Sequence, residues 1–336
     1  GVRIFESATV DTNILLFAKT NNQHKTLCAV TNKQNKDSVK NLSDFVQQQQ
    51  TTCDFATSDS WVILSPIEQS IKCKIEAVGT PLKDWNIQIN YGIKTGCNDA
   101  FIISTEKREE ILGNCQTENE RKRTSELIRP ILRGRDIKRY AYEWANLWLI
   151  ASFPSRHYNI DEYPAIKQYL LSFGIERLEQ TGRVHNVNGK NIKARKKTNN
   201  KWFETQDSIS YWEDFNKPKI VYQELSQGNS FAIDIEGMYY VSNTAYIITG
   251  DNLLYLLKLL NSQIIEFAYR KFYGTIIGST GLRWLAQYIN NLAIPKYENT
   301  ELQQKIIQAD NDHAINALVQ KLYGLVNAEI KYIESN

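Results

Sequence analysis

From Leu82 onward the chain sets short apolar runs among helical stretches at unequal intervals, and this irregularity limits the folds open to it. Runs rich in β-branched and aromatic residues read as strands at Ile87–Tyr91, Ala100–Ser104, Leu147–Ala151, Pro218–Gln223, Phe231–Ile235 and Thr244–Thr249. Helices are expected at Glu118–Ile128, Tyr163–Glu179 and, as a pair, Asp251–Asn261 and Ser262–Phe272. A parallel doubly wound sheet needs strands and helices in regular alternation, and a repeat architecture needs a fixed period. Neither pattern is present. The expected class is mixed α/β (α+β): an irregular domain of short mixed strands and peripheral helices, followed by a C-terminal helical tail.

Residues 1–30 cluster apolar side chains (Ile4, Phe5, Val10, Ile14 to Phe17, Leu27 to Val30) between polar turns, as two or three strands would. So few strands cannot bury a sheet face alone. Together with a start lacking Met, this reads as the edge of a domain whose remainder lies outside the sequence. A polar connector follows, with a short helix near Val39–Gln49. Ser65-Pro66-Ile67-Glu68 then opens a helix: Ser65 as N-cap, Pro66 in the first turn and Glu68 closing a capping box. Ile67, Ile71, Ile75 and Val78 supply its apolar stripe up to Gly79. Residues 299–336 are helix-periodic with a break at Gly324. Their five acids against three bases suit packing on protein better than on DNA.

Composition excludes several classes. Hydrophobic residues at 42% and charged residues at 23% describe a globular chain rather than a disordered one. Five dispersed cysteines without a C-x-x-C pair support neither a disulfide framework nor a zinc site, and a reducing cytoplasm fits them. No signal peptide or membrane-length apolar run occurs. Net charge is only +3, but its distribution is uneven. Arg183 to Lys201 holds seven basic residues and no acid; Arg121 to Arg139 holds eight against Glu126 and Asp136. Such concentrations describe either a one-sided phosphate-binding surface or two solvated loops.

An ordered series of motifs from Ile89 to Pro295 adds a resemblance. It starts with Ile89-Asn90-Tyr91-Gly92-Ile93-Lys94-Thr95-Gly96-Cys97-Asn98-Asp99-Ala100-Phe101 and continues with Ile128-Arg129-Pro130-Ile131-Leu132-Arg133-Gly134-Arg135-Asp136-Ile137. Tyr163-Pro164-Ala165-Ile166, Pro218-Lys219-Ile220 and Leu259-Leu260-Asn261-Ser262 follow, then Gly278 to Trp284 and Leu292-Ala293-Ile294-Pro295. In this order the set resembles the TaqI-like specificity domain. That is the target-recognition domain of N6-adenine DNA methyltransferases and of fused (type IIG) restriction–methylation enzymes. The resemblance implies three parts. Residues 1–80 would be the C-terminal edge of a methyltransferase domain plus connector, 81–298 the target-recognition domain and 299–336 a helical tail. It also implies double-stranded DNA as partner, upstream methyltransferase and nuclease domains in the same protein, no membrane, and S-adenosylmethionine and Mg as cofactors of the parent. The chain itself shows no G-x-G-x-x-G, no Pro-Pro and no spaced histidines, so no complete catalytic or metal site is expected in it. Glu329-Ile330-Lys331 has a nuclease-like spacing but reads as a solvated helix pair.

Four segments are candidates for contact with DNA. In Lys94-Thr95-Gly96-Cys97-Asn98, Lys94 would reach a phosphate and Asn98 would read adenine; alternatively the segment is a structural tight turn. In Arg133-Gly134-Arg135-Asp136-Ile137-Lys138-Arg139, arginine would read guanine, or Asp136 would pair with one arginine and hold the loop. His185 to Lys201 offers Lys193, Arg195, Lys196 and Lys197 on a segment expected to be mobile without DNA, or is an inert surface loop. Arg270-Lys271-Phe272 joins Thr275 to Arg283, where Ser279, Thr280 and Arg283 would meet backbone phosphates. The Arg133 and Arg195 segments are the foremost candidates. The leading function is sequence-specific recognition of duplex DNA; the alternative is a specificity or scaffold subunit of a phage-defence complex contacting partners through its helices.

Overall fold

The computed structural model describes residues 14–17, 19, 25–31, 39–55, 62–277 and 281–336. The strands expected in residues 1–13, and Ser279 and Thr280, lie outside the described residues. Ile14 to Phe17, expected in a strand, have no regular structure and are exposed, without a pairing strand among the described residues. By their internal contacts the described residues of Gly1–Ala77 together with Leu325–Ser335 make one compact unit and Val78–Gly324 another.

The chain begins with β1 (Thr26–Ala29), α1 (Leu42–Gln49), β2 (Gln50–Cys53) and α2 (Pro66–Val78). β1 and β2 pair antiparallel. The cap of α2 forms as its residues dictate: Ser65 N–H donates to Glu68 Oε2 (2.8 Å), and Glu68 N–H donates back to Ser65 Oγ (3.4 Å). Ile71 and Ile75 are buried, while Val78 is exposed.

The larger unit starts with β3 (Thr80–Pro81), β4 (Ile87–Tyr91), α3 (Asn98–Phe101), β5 (Ile102–Ser104), α4 (Thr105–Gly113) and α5 (Glu118–Leu127). α4 escapes a reading by periodicity, because its charged sequence buries only Ile111 and Leu112 and carries no apolar stripe. It is set by its cap, Ser104 Oγ accepting from Lys107 N–H (3.3 Å). α5 stops at Leu127 because Ile128 enters β6 (Ile128–Leu132), which is followed by β7 (Leu147–Ile150). The single helix expected over Tyr163–Glu179 is two, α6 (Pro164–Leu171) and α7 (Ile175–Leu178). Gly174 between them has φ 84°, outside right-handed helix. Then come β8 (Val184–Val187), β9 (Lys190–Lys193), β10 (Lys219–Gln223), β11 (Leu225–Ser226), β12 (Phe231–Asp234), β13 (Tyr240–Val241) and β14 (Ala245–Gly250).

α8 (Leu253–Leu260) buries six of its eight residues. A helix that is apolar nearly all round belongs in the interior. α9 (Gln263–Ala268), a π turn at Tyr269–Tyr273, β15 (Thr275–Ile277), β16 (Gly281–Arg283), α10 (Ala286–Ile289) and β17 (Ala293–Ile294) complete the mixed region. Of the final helices, α11 (Glu301–Gln308) and α12 (Asp312–Leu322) fall in the larger unit, and α13 (Asn327–Glu334) in the smaller. The break between α12 and α13 lies at Gly324. Glu329 on α13 is not the solvated group expected of it. It is 3% exposed and accepts from Ser70 Oγ (2.7 Å), Lys74 Nζ (2.7 Å) and Val326 N–H (2.9 Å). Burial pushes its carboxyl upward, but these bonds together hold it below the usual range.

Two four-stranded sheets frame the larger unit. One is antiparallel in the order β12-β10-β14-β4; the other runs β13-β6-β7-β5, with β13 parallel to β6. One core joins them: Val221, Ala232 and Ile247 from the first sheet cluster with Ile131, Leu149 and Ile150 from the second. This is the mixed α+β class that the irregular strand spacing predicts. β11, β16 and β15 form a separate three-stranded sheet, and β8–β9 a hairpin. No helix among the described residues is long and apolar enough to cross a membrane.

Candidate nucleic-acid interface

β6 and β13 run side by side, and the chain leaves β13 through the turn Ser242-Asn243-Thr244 before β14. This turn holds two of the four candidate segments directly, and the other two are linked to it through intermediates. Ile93 N–H donates to Val241 O (2.8 Å) and Asn243 N–H to Ile93 O (3.0 Å), which anchors the Lys94 turn. Ser242 N–H donates to Leu132 O (2.9 Å) and Gly134 N–H to Thr244 Oγ1 (2.9 Å), which anchors the Arg133 loop. Glu224 N–H donates to Thr244 O (3.0 Å), Trp284 N–H to Glu224 O (2.8 Å), and Arg283 Nε to Glu224 Oε1 (2.8 Å), which brings in β16. Close approach explains two glycines. A Cβ at Gly134 would lie 2.5 Å from Thr244 O, and one at Gly92 would collide with the Ser242 carbonyl. No motif or periodicity points to Ser242–Thr244, because its role is set by what crosses it in space.

The His185–Lys201 segment joins the cluster through Arg195. This side chain is 4% exposed and donates to four carbonyls: Leu178 (2.6 Å), Trp202 (2.6 Å), Glu204 (2.7 Å) and Thr95 (2.8 Å). Its guanidinium lies 5.0 Å from the Phe101 ring centroid. Burial pulls its pKa down to about 10, with Cys97 and Glu204 opposing. The expectation for Arg195 therefore changes: it braces three loops from inside and offers nothing to a phosphate. Part of the segment expected to be mobile is the β8–β9 hairpin. Its turn is Asn188-Gly189, both at positive φ (50° and 80°). Asn-Gly between short runs is the strongest local hairpin signal, and it was available in the sequence. Lys193, Lys196 and Lys197 are exposed.

The other candidates divide in the same way. Arg133 is clamped by Asp136 (Nε–Oδ2 2.9 Å, Nη2–Oδ1 2.7 Å), and Asp136 Oδ2 also accepts Arg133 N–H (2.8 Å). That pair raises the Arg133 pKa and makes it the holder of its loop. Arg139 donates to Asp312 and to Asn261 O, both at 2.6 Å, tying the loop's end toward α8 and α12. Arg135 is exposed, and Lys138, also exposed, caps its carbonyl at 2.8 Å. Thr95 is 1% exposed and donates to Asn98 Oδ1 (2.7 Å) while accepting from Cys97 N–H (3.2 Å). It shapes the turn that presents exposed Lys94 and Asn98. Lys94 O in turn accepts from Gln206 N–H (3.1 Å). Burial raises the nearby Asp207 carboxyl, while Lys94 and Lys196 pull it down, so these two lysines sit near one carboxyl. Arg270 is bonded to Glu266 (2.8 Å) and to Gln227 O (2.7 Å), and Lys271 Nζ lies 5.9 Å from the Phe267 ring centroid. The segment is fixed underneath by Tyr269, stacked 3.9 Å from Trp284 and bonded through its hydroxyl to Arg283 O. Among the described residues, no group of three or more His, Cys, Asp or Glu is placed to hold a metal ion.

Comparison with known proteins identifies a family for part of the chain. Residues 129–294 match the model of the TaqI-like C-terminal specificity domain. The chain is 25% identical over 292 residues to the type II methyltransferase M.BstVI of Geobacillus stearothermophilus, covering 83% of this chain and 47% of that protein. It is 24% identical over 286 residues to the type II methyltransferase M.XhoI of Xanthomonas vasicola, covering 81% and 46%. The chain thus spans about half the length of the curated relatives it matches. Among solved structures, the type IIL restriction–modification enzyme MmeI in complex with DNA is similar at a TM-score of 0.49 and 13% identity, over 76% of this chain and 36% of that one. The type IIG restriction endonuclease BpuSI is similar at a TM-score of 0.49 and 14% identity, over 80% and 31%. With β6 from Arg129 on, the Arg133 loop, the Ser242 turn and β16 inside the matched stretch, residues 129–294 belong to the TaqI-like C-terminal specificity domain family.

Proposed function

We propose that this chain is the sequence-specific recognition part for double-stranded DNA in a bacterial, cytoplasmic restriction–modification protein. It would place a target site before methyltransferase or nuclease domains elsewhere in the same protein. One observation carries the reading: the Lys94 turn and the Arg133 loop are bonded to one turn, Ser242–Thr244, with β16 linked to it through Glu224 and the Arg195 segment through Thr95, and these segments carry exposed Lys94, Arg135, Lys138, Lys193, Lys196 and Lys197. Loops held by a rigid junction, with charge at their tips, suit a surface that positions on phosphates and reads base edges. Asn98 and Arg135 have the donor geometry for adenine and guanine respectively. N6-adenine methylation with S-adenosylmethionine, and any Mg-dependent cleavage, would be the work of the other domains.

The test is duplex binding measured against salt. Each phosphate contact contributes a slope of about −0.9 in log K against log salt. Lys94→Ala, Arg135→Ala and Lys196→Ala are expected to weaken binding and flatten the slope, with the fold intact. Unchanged slopes in all three would remove the loop cluster from the interface.

A further inference from the structure

The amino end of β6 carries a feature that the loop cluster does not use. A cavity of about 170 Å³ opens there, between α5, the start of β6, the turn after β7 and the turn before β10. Three arginines line it: Arg123 from α5, Arg129 from β6 and Arg156 after β7, with Trp212 and Tyr240 among the rings of its wall and Glu126 its one carboxylate. The guanidiniums are only partly used. Arg129 Nη2 donates to Asn216 Oδ1 (3.0 Å) and Arg123 Nη2 to Glu162 O (3.0 Å). The Nε of each is buried without a hydrogen-bond partner. Arg156 is exposed and lies 3.8 Å from the Trp212 ring centroid and 5.6 Å from that of Tyr158. None of the three makes an ion pair among the described residues, unlike Arg133, Arg139, Arg270 and Arg283.

The Nε atoms of Arg123 and Arg129 have almost no accessible surface, so an oxyanion in the cavity would meet the terminal Nη groups and exposed Arg156. Guanidinium forks match phosphoryl oxygens, and aromatic rings beside them accept a stacked base. The volume is below the ~300–1,000 Å³ of clefts that enclose drug-sized ligands, so it would take the phosphoryl end of one nucleotide with the base at its mouth, and not a chain of them. We propose that this pocket binds a single nucleoside monophosphate unit, with its phosphoryl group on Arg123, Arg129 and Arg156 and its base against the aromatic wall at Trp212. The unit is a free nucleotide or an unstacked nucleotide of a nucleic acid. The inference rests on the pocket alone and does not need the loop cluster to bind duplex DNA.

Calorimetric titration of the 336-residue chain tests it. The ligands are the four deoxynucleoside 5′-monophosphates in turn, the unphosphorylated nucleosides, inorganic phosphate and a short 5′-phosphorylated single strand. At least one monophosphate is expected to bind tenfold or more tighter than its nucleoside or phosphate alone. Arg156→Gln, at an exposed position, and Trp212→Leu are each expected to weaken it about tenfold, with duplex binding unchanged. Tighter binding of the single strand than of any monophosphate assigns the pocket to nucleic acid; weaker or equal binding assigns it to a free nucleotide. No saturable binding of any monophosphate or strand, or binding that ignores both substitutions, overturns the proposal.

Discussion

At the carboxyl end of β6 three arginines are consumed by the protein itself, Arg133 by Asp136, Arg139 by Asp312 and Asn261, and Arg195 by four carbonyls, while Arg135 stays exposed. At its amino end, one five-residue strand away, Arg123, Arg129 and Arg156 line a cavity without an ionic partner among the described residues. The difference shows arginine in two uses. Its rigid, five-donor fork is suited to binding several backbone groups at once, so at the loop end it builds the scaffold. The charge left at the surface there belongs mainly to lysines, which under the proposed function would contact phosphates without fixed geometry. At the pocket end the same fork is held partly desolvated and unsaturated, as a ligand site requires.

The largest effect expected is beneath the pocket. Lys219 is fully buried, donates to Asp234 Oδ2 (2.6 Å) and Phe215 O (2.7 Å), and so ties the Phe215–Asn216 turn to the strand β12. Lys219→Met leaves Asp234 buried and unpaired and should cost about 3–5 kcal/mol in chemical unfolding. A loss within 0.5 kcal/mol would mean that the pocket wall is not held from below. Next comes Arg195→Met, which strands several carbonyls and should cost about 3 kcal/mol by the same measurement. If instead it leaves stability alone and removes only DNA affinity, Arg195 is a contact residue and the division drawn between the two ends fails.

How much of this was legible in the sequence follows from what each feature depends on. The strands Ile87–Tyr91 and Lys219–Gln223 and the cap at Ser65–Glu68 are local patterns and were readable as such. The Lys94, Arg133 and Gly278–Trp284 segments were readable within an ordered motif series, but their linkage at the Ser242–Thr244 turn was not. For Arg133 the sequence left open the pairing with Asp136 that the structure has; the inward turn of Arg195 was not readable, since a run of basic residues does not say which side chain turns inward and that depends on carbonyls from Thr95 to Glu204 arriving around it. The pocket was invisible because Arg123, Arg129, Arg156 and Trp212 come from four separate elements.

Smaller effects sharpen the contrast. Arg135→Ala should leave stability within about 0.5 kcal/mol and reduce the salt slope of duplex binding by about one, as expected for a surface phosphate contact. Glu224→Gln removes the partner of half-exposed Arg283, costs no more than about 0.5 kcal/mol, and frees a cation at the cluster. Duplex affinity should rise slightly, and a fall would show that the pair positions β16.

The most direct test of the central claim is selection of bound duplexes from a random pool by the 336-residue chain at physiological salt. One short sequence should be enriched, and Asn98→Ala or Arg135→Ala should relax the preference at a defined position of it. A pool that emerges unchanged, with every duplex bound equally, would contradict sequence recognition by this loop cluster.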